Sequence, residues 1–164
     1  MATKVKLVET DNLVCFTGDI YSQWYDAIIL IDGIEFNCCE KWMMYSKAIY
    51  FNDTETADKI LKSNEPKEQK KLGREVKNYD DDKWLLVCDD IVYKGNYAKF
   101  SQHKDLQEKL LLTGNKIIAE AAHYDARWGT GLNIEDTINT PYEQWGENRL
   151  GKAIMKVRSD LIIA

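Results

Sequence analysis

A chain of 164 residues has room for one domain with a real core and little more. Its 22 Lys and Arg against 27 Asp and Glu leave a net charge of -5, which argues against broad, non-specific nucleic-acid binding but allows a local basic pocket for one or two phosphates. The start, MATKVKLVETDN, carries no signal-peptide core, and no apolar run reaches the roughly 18 residues of a membrane span, so the expectation is a cytoplasmic protein with no membrane partner.

Taken in chain order, residues 14–16 and 27–36 read as short strands, and Asp32-Gly33 inside the second marks a hairpin. Asn37 is placed to cap a helix running to about residue 51, with Glu40 as the third residue of a capping-box variant. Thr54 opens a second helix to about residue 62. Pro66 suits the first turn of a third, ending near Gly73. From residue 80 to about 100, Trp84, Cys88, Ile91 and Val92 recur at helical spacing. Gly95 within that stretch weakens the helix or marks a close approach. Residues 104–112 form a short helix closed by Gly114, residues 116–122 a short strand, and residues 148–162 a final amphipathic helix. The expected class is mainly α, an α+β chain with a few short N-terminal strands, folded as a single multihelical domain over residues 1–164 with its core at about 14–162.

Cys15, Cys38, Cys39 and Cys88 form no C-x-x-C pair and no zinc spacing with His103 or His123, so free thiols in a reducing compartment are expected. No Walker or Rossmann phosphate loop is present. In CCEKWMMYSKA, Glu40 and Lys47 stand seven apart and share one helix face. Burial would raise the acid's pKa and lower the amine's, which suits both for proton transfer. The competing reading makes Glu40 a cap, Lys47 a solvated charge and the methionines core, and spacing alone favours it. In HYDARWGTG, Asp125 precedes Trp128, Gly129 and Gly131: glycines permit close approach to a ligand and an indole stacks on flat heterocycles, but the same residues also make an ordinary structural loop. Arg74, Lys99, Arg127, Arg149 and Lys152 are candidate phosphate contacts, and Trp84 and Phe100 candidate pocket walls or core.

Together these segments resemble the NADAR family, named for a proposed link to NAD and ADP-ribose. The resemblance covers about residues 16–161. YSQWYD, CCEKWMMYSKAIYFND, EPKEQKKLGREVKNYD, DIVYKGNYAKFSQ, LLLTGNKIIAEAAHYDARWGTGL and WGENRLGKAIMKVR follow in the family's order. It implies an N-glycosidase hydrolysing a phosphoribosyl or ADP-ribosyl compound. The substrate would be a phosphorylated ribosylamino-pyrimidine of riboflavin synthesis, or ADP-ribosylated guanine, free or within a nucleotide or nucleic acid. No cofactor and no metal are implied. The family's acid falls on Glu40, its lysine on Lys47, its central tryptophan on Trp84 and its A-K-F block on Ala98, Lys99 and Phe100. The D-x-x-W-G-x-G block falls on Asp125, Trp128, Gly129 and Gly131, and N-x-L-G on Asn148, Leu150 and Gly151. Glu40, Lys47 and Asp125 are thus the expected catalytic set; Gln23, Arg74, Trp84, Lys99, Phe100, Trp128, Gly129 and Asn148 are the expected substrate contacts. Cys88 stands where close relatives often carry Arg, and His103 and His123 where small residues are commoner. Two roles are open for Lys47: an electrostatic partner of Glu40, or a neutral amine forming a Schiff base with ring-opened C1′. The alternative function is a module that binds ADP-ribose or a related metabolite without cleaving it.

Overall fold

A computed structural model describes residues 4–164; Met1–Thr3, which the expected domain bounds include, lie outside the described residues. The class is α+β and dominated by helix, as expected. The chain forms two compact units, one from the residues up to Ser22 together with His103–Ala164, the other from Gln23–Gln102.

In the first unit, β1 (Leu7–Glu9), β2 (Leu13–Phe16) and β5 (Ile117–Glu120) form one sheet in the order β1-β2-β5. β2 pairs antiparallel with β1 and parallel with β5, Val14 opposite Ile118. β2 is buried along its whole length, which explains its unbroken apolar sequence. β1 escapes sequence reading because it is three residues long and only half-buried. Helix α6 (Lys104–Leu112) matches expectation and ends at Gly114, whose φ of 60 is the left-handed geometry that favours glycine. A short helix, α7 (Ile134–Asn139), is additional: the Asn133 side chain caps it by accepting from the Asp136 N–H at 2.7 Å. The last helix, α8 (Arg149–Ile163), packs on β5.

In the second unit, β3 (Ile29–Ile31) and β4 (Ile34–Phe36) form the expected hairpin, with Asp32 and Gly33 both at positive φ, 52 and 80, as a type I′ turn requires. Helix α1 (Cys39–Tyr50) follows. Its N-cap is Cys38, not Asn37: the Asn37 amide instead donates to the Asn64 carbonyl and accepts from Gln69. The expected capping box is therefore absent, and Glu40 falls in the first turn without a capping role. Helices α2 (Thr54–Lys62) and α3 (Pro66–Arg74) match expectation, with Asp53 capping α2.

The single helix expected over residues 80–100 is two, α4 (Asp81–Leu85) and α5 (Cys88–Gln102). The N–H groups of Leu86 and Val87 bond back only three residues, to Lys83 and Trp84, so the helix tightens and breaks. Trp84 and Cys88 are still both buried, which is why the apolar period survives the break. Gly95 does mark a close approach: a Cβ there would lie 2.5 Å from the Trp42 ring, and the Trp42 indole N–H donates to the Ile91 carbonyl at 2.7 Å. Trp42 thereby joins Ile29, Ile31, Phe36, Cys39 and Ala98 in one core. All four cysteines are buried free thiols.

Candidate active site

Helix α1 carries two different faces. One presents Glu40, Met44 and Lys47; the other presents Trp42, Tyr45 and Ile49. The Glu40 backbone N–H donates to the Gln23 carbonyl at 3.0 Å, fixing the first turn of α1. The Glu40 side chain is only 7% exposed. Burial pushes this acid up to about 7, against the opposing fields of Lys70, Lys47 and Arg74. The positive end of the α1 dipole also favours its ionised form.

Lys47 lies two turns further along the same face, half-buried, with its Nζ 4.3 Å from the centre of the Tyr79 ring. Burial lowers its amine below the usual lysine range; Glu40 opposes that, Arg74 reinforces it and Asp81 opposes it. Helix α3 reaches this cluster because Gly73 sits under Met44: a Cβ there would lie 2.0 Å from the Met44 sulfur. The residues flanking Gly73 then set Lys70 and Arg74, four apart on one face, toward the acid. Expected Glu40, Lys47 and Arg74 therefore come together. Lys70, Tyr79 and Asp81 join them unforeseen, and the i,i+4 pair of cations in EPKEQKKLGR was the signal available for the first.

The other expected contacts in this unit line its interior. Lys99 is completely buried on α5, its amine lowered by burial and pulled the other way by Cys39 and Cys38, with the rings of Phe100 and Tyr25 at 5.0 and 5.8 Å. Phe100 is fully buried and Trp84 nearly so. Gln23 accepts from the buried Asn96 amide at 2.9 Å. A cavity of about 550 Å³ opens on the opposite face of α1, beside Trp42, Tyr45 and Ile49, and none of the expected site residues lines it.

In the first unit, Asp125 Oδ1 accepts from the N–H groups of Arg127 and Trp128 at 3.0 and 2.9 Å, closing the loop after β5. Trp128 is partly buried. Gly129 is buried tightly enough that a Cβ would lie 2.8 Å from the Glu120 carbonyl, so its close approach is to β5 itself. Asn148, at φ 47, spans β5 with both ends of its amide: Oδ1 accepts from the Glu120 N–H at 3.1 Å and Nδ2 donates to the Ile118 carbonyl at 3.0 Å. Among the described residues no group of three His, Cys, Asp or Glu is arranged to hold a metal ion, and no helix is long and apolar enough to cross a membrane.

The family model described as the NADAR domain matches residues 15–162, spanning both units. The chain belongs to the NADAR family. Among NADAR relatives, an N-glycosidase of Acanthamoeba polyphaga mimivirus is 39% identical, with 93% of this chain and 98% of that protein covered. N-glycosidase YbiA of Escherichia coli (strain K12) is 27% identical over 99% of this chain and 96% of its own length. A riboflavin biosynthesis protein of Vibrio vulnificus (strain YJ016) is 26% identical over 85% of this chain, which spans 35% of that longer protein. The solution NMR structure of Escherichia coli YbiA superposes with a TM-score of 0.75 at 26% identity, covering 98% of this NADAR chain and 90% of YbiA.

Proposed function

We propose that this chain hydrolyses the C1′–N bond of a phosphoribosyl or ADP-ribosyl compound, with the Glu40 carboxyl handling the proton. At the coarser level it is a NADAR-family N-glycosidase, a hydrolase of N-glycosyl bonds, in keeping with relatives of that activity matched along nearly their full length.

The observation that carries the assignment of the acid is the state of Glu40. Burial away from water disfavours the ionised form of a carboxyl, and such a group in company with charges is a mark of a working site. Hydrolysis adds water across the bond: the C1′–N bond breaks, the base leaves with a proton, and water supplies the hydroxyl at C1′. Positive charge builds on the sugar in between, and a carboxylate nearby stabilises it. An acid poised near neutrality exchanges its proton in either direction at physiological pH. Lys47, Lys70 and Arg74 bring three positive charges to one carboxyl, in a chain whose net charge is -5. That local surplus suits a phosphorylated substrate.

The test is release of free base, followed by absorbance, from ADP-ribosyl-guanine and from phosphorylated ribosylamino-pyrimidines. Glu40→Gln keeps the shape of the side chain and is expected to lose hydrolysis by about a hundredfold or more, the usual worth of a positioned acid or base. Lys47→Ala is expected to lose it as well, with circular dichroism unchanged in both variants. Parental turnover by Glu40→Gln on the substrate the parent prefers would remove Glu40 from the mechanism.

A further inference from the structure

The second unit holds a hollow that the hydrolytic reading leaves unused: the cavity of about 550 Å³ on the face of α1 turned away from Glu40. Trp42, Tyr45, Ser46 and Ile49 stand at i, i+3, i+4 and i+7 and form one stripe along the helix, a serine among large apolar and aromatic side chains. Ile31 and Ile34 of the hairpin and Ile91 of α5 close the other side. A hydroxyl within a helix ordinarily bonds back to a carbonyl one turn earlier. The Ser46 Oγ is buried and, among the described residues, has no hydrogen-bond partner. A buried hydroxyl left open beside a cavity of this size is a group for a ligand to complete. The mouth of the cavity is charged. Lys94 Nζ lies 3.3 Å from Asp32 Oδ2 and 5.6 Å from the centre of the Trp42 ring, so that ring already meets an ammonium. Asp90, exposed one turn before Lys94 on α5, adds a second carboxylate. Two carboxylates against one ammonium leave the mouth negative.

We propose that this cavity is a second ligand site, for a small organic ammonium with a flat apolar body. The body lies among Trp42, Tyr45 and the isoleucines, bonded to the Ser46 hydroxyl, and the positive group sits at the mouth beside Asp90. The volume falls within the range of small-molecule sites. The charge decides between ligand classes. An anion would face two carboxylates, with the mouth's one cation already committed to Asp32. A neutral molecule would fill the hollow and leave the excess charge unmet. An ammonium gains both a carboxylate and the negative faces of the aromatic rings. A phosphorylated substrate is drawn instead to Lys47, Lys70 and Arg74 near Glu40, so the two faces of α1 select ligands of opposite sign. The inference stands whether or not Glu40 is the hydrolytic acid.

The experiment titrates the full chain, labelled with ¹³C in its isoleucine methyls, with three compounds that share an indole body: tryptamine, a cation; tryptophol, neutral; and indole-3-acetate, an anion. The methyl signals of Ile31, Ile34, Ile49 and Ile91 are assigned by Ile→Val substitution and report on the cavity wall. At low salt tryptamine should shift these signals to saturation with a Kd of about a millimolar or below, the affinity open to so small a ligand. It should bind about tenfold more tightly than indole-3-acetate, with tryptophol between them. Asp90→Lys, a change at an exposed position, should abolish or reverse that order. Ser46→Ala should weaken tryptamine by roughly threefold or more, the worth of one hydrogen bond to the indole N–H, with the other methyl signals unmoved. No saturable shift at these methyls, equal affinity for the three compounds, an order indifferent to Asp90→Lys, or parental affinity in Ser46→Ala would each overturn the proposal. Methyl shifts that follow protein concentration alone, with a dimer in sedimentation, would give the cavity to a second copy of the chain and overturn it equally.

Discussion

Glu40 ionises near 4.5 when exposed to water and near 7 in the folded chain, so it binds a proton more tightly folded than unfolded. Below about pH 4.5 both states hold the proton and the acid costs nothing. Between those values the unfolded state gains by ionising first, and stability falls as pH rises. Above about pH 7 the full penalty, roughly 3 kcal/mol, is present. Glu40→Gln should therefore be more stable than the parent at pH 8 and match it at pH 4, as urea unfolding at the two values would register. A difference that persists at pH 4 would mean that the carboxyl is not what strains the fold. If Glu40 is the acid we propose, the substitution expected to lose hydrolysis is also the one expected to strengthen the structure, a pattern expected of working sites. At this scale the shared face of Glu40 and Lys47 was legible in their spacing. The seating of the Tyr79 ring beside Lys47 was not, since it depends on a turn held by Asp53 from 26 residues upstream. Nor was the removal of Glu40 from capping duty, because Asn37 is drawn away by Asn64 and Gln69, partners remote in sequence.

At the scale of elements, helices with a clear start and stop came through intact: Pro66 opens α3 and Gly114 follows α6, as local chemistry dictates. The α4–α5 break left no such sign, since neither Gly nor Pro marks it and the buried positions keep helical spacing across it. The seating of α8 on β5 was equally hidden. Gly151 has its Cα so close to the strand that an added Cβ would lie 2.1 Å from the Ile118 carbonyl oxygen. Asn148 satisfies one donor and one acceptor on the same strand edge. Gly151→Ala should cost about 1–3 kcal/mol by overpacking. Asn148→Ala should cost about 2 kcal/mol, because it orphans a main-chain N–H and a carbonyl of β5. Denaturant midpoints measure both, and a neutral Asn148→Ala would show that the strand edge finds other partners.

For the whole molecule, net charge was a poor guide to the site: a chain at -5 concentrates Lys47, Lys70 and Arg74 around one carboxyl. Segment order carried the family across nearly the full length, but no local pattern could say that β2 and β5, about a hundred residues apart, lie parallel. Closing so long a loop delays the contacts that depend on it, whereas Gln23–Gln102 is continuous and rich in nearer contacts. The sealed thiols turn this into a clock. Cys15 lies on β2, while Cys38, Cys39 and Cys88 lie in the continuous unit, and a buried thiol is alkylated only while its surroundings are open. Iodoacetamide pulses during refolding, read peptide by peptide, should find those three shielded before Cys15. The unaltered protein therefore carries its own time stamps for the order in which it assembles, and simultaneous shielding of all four would mean that it closes in one step.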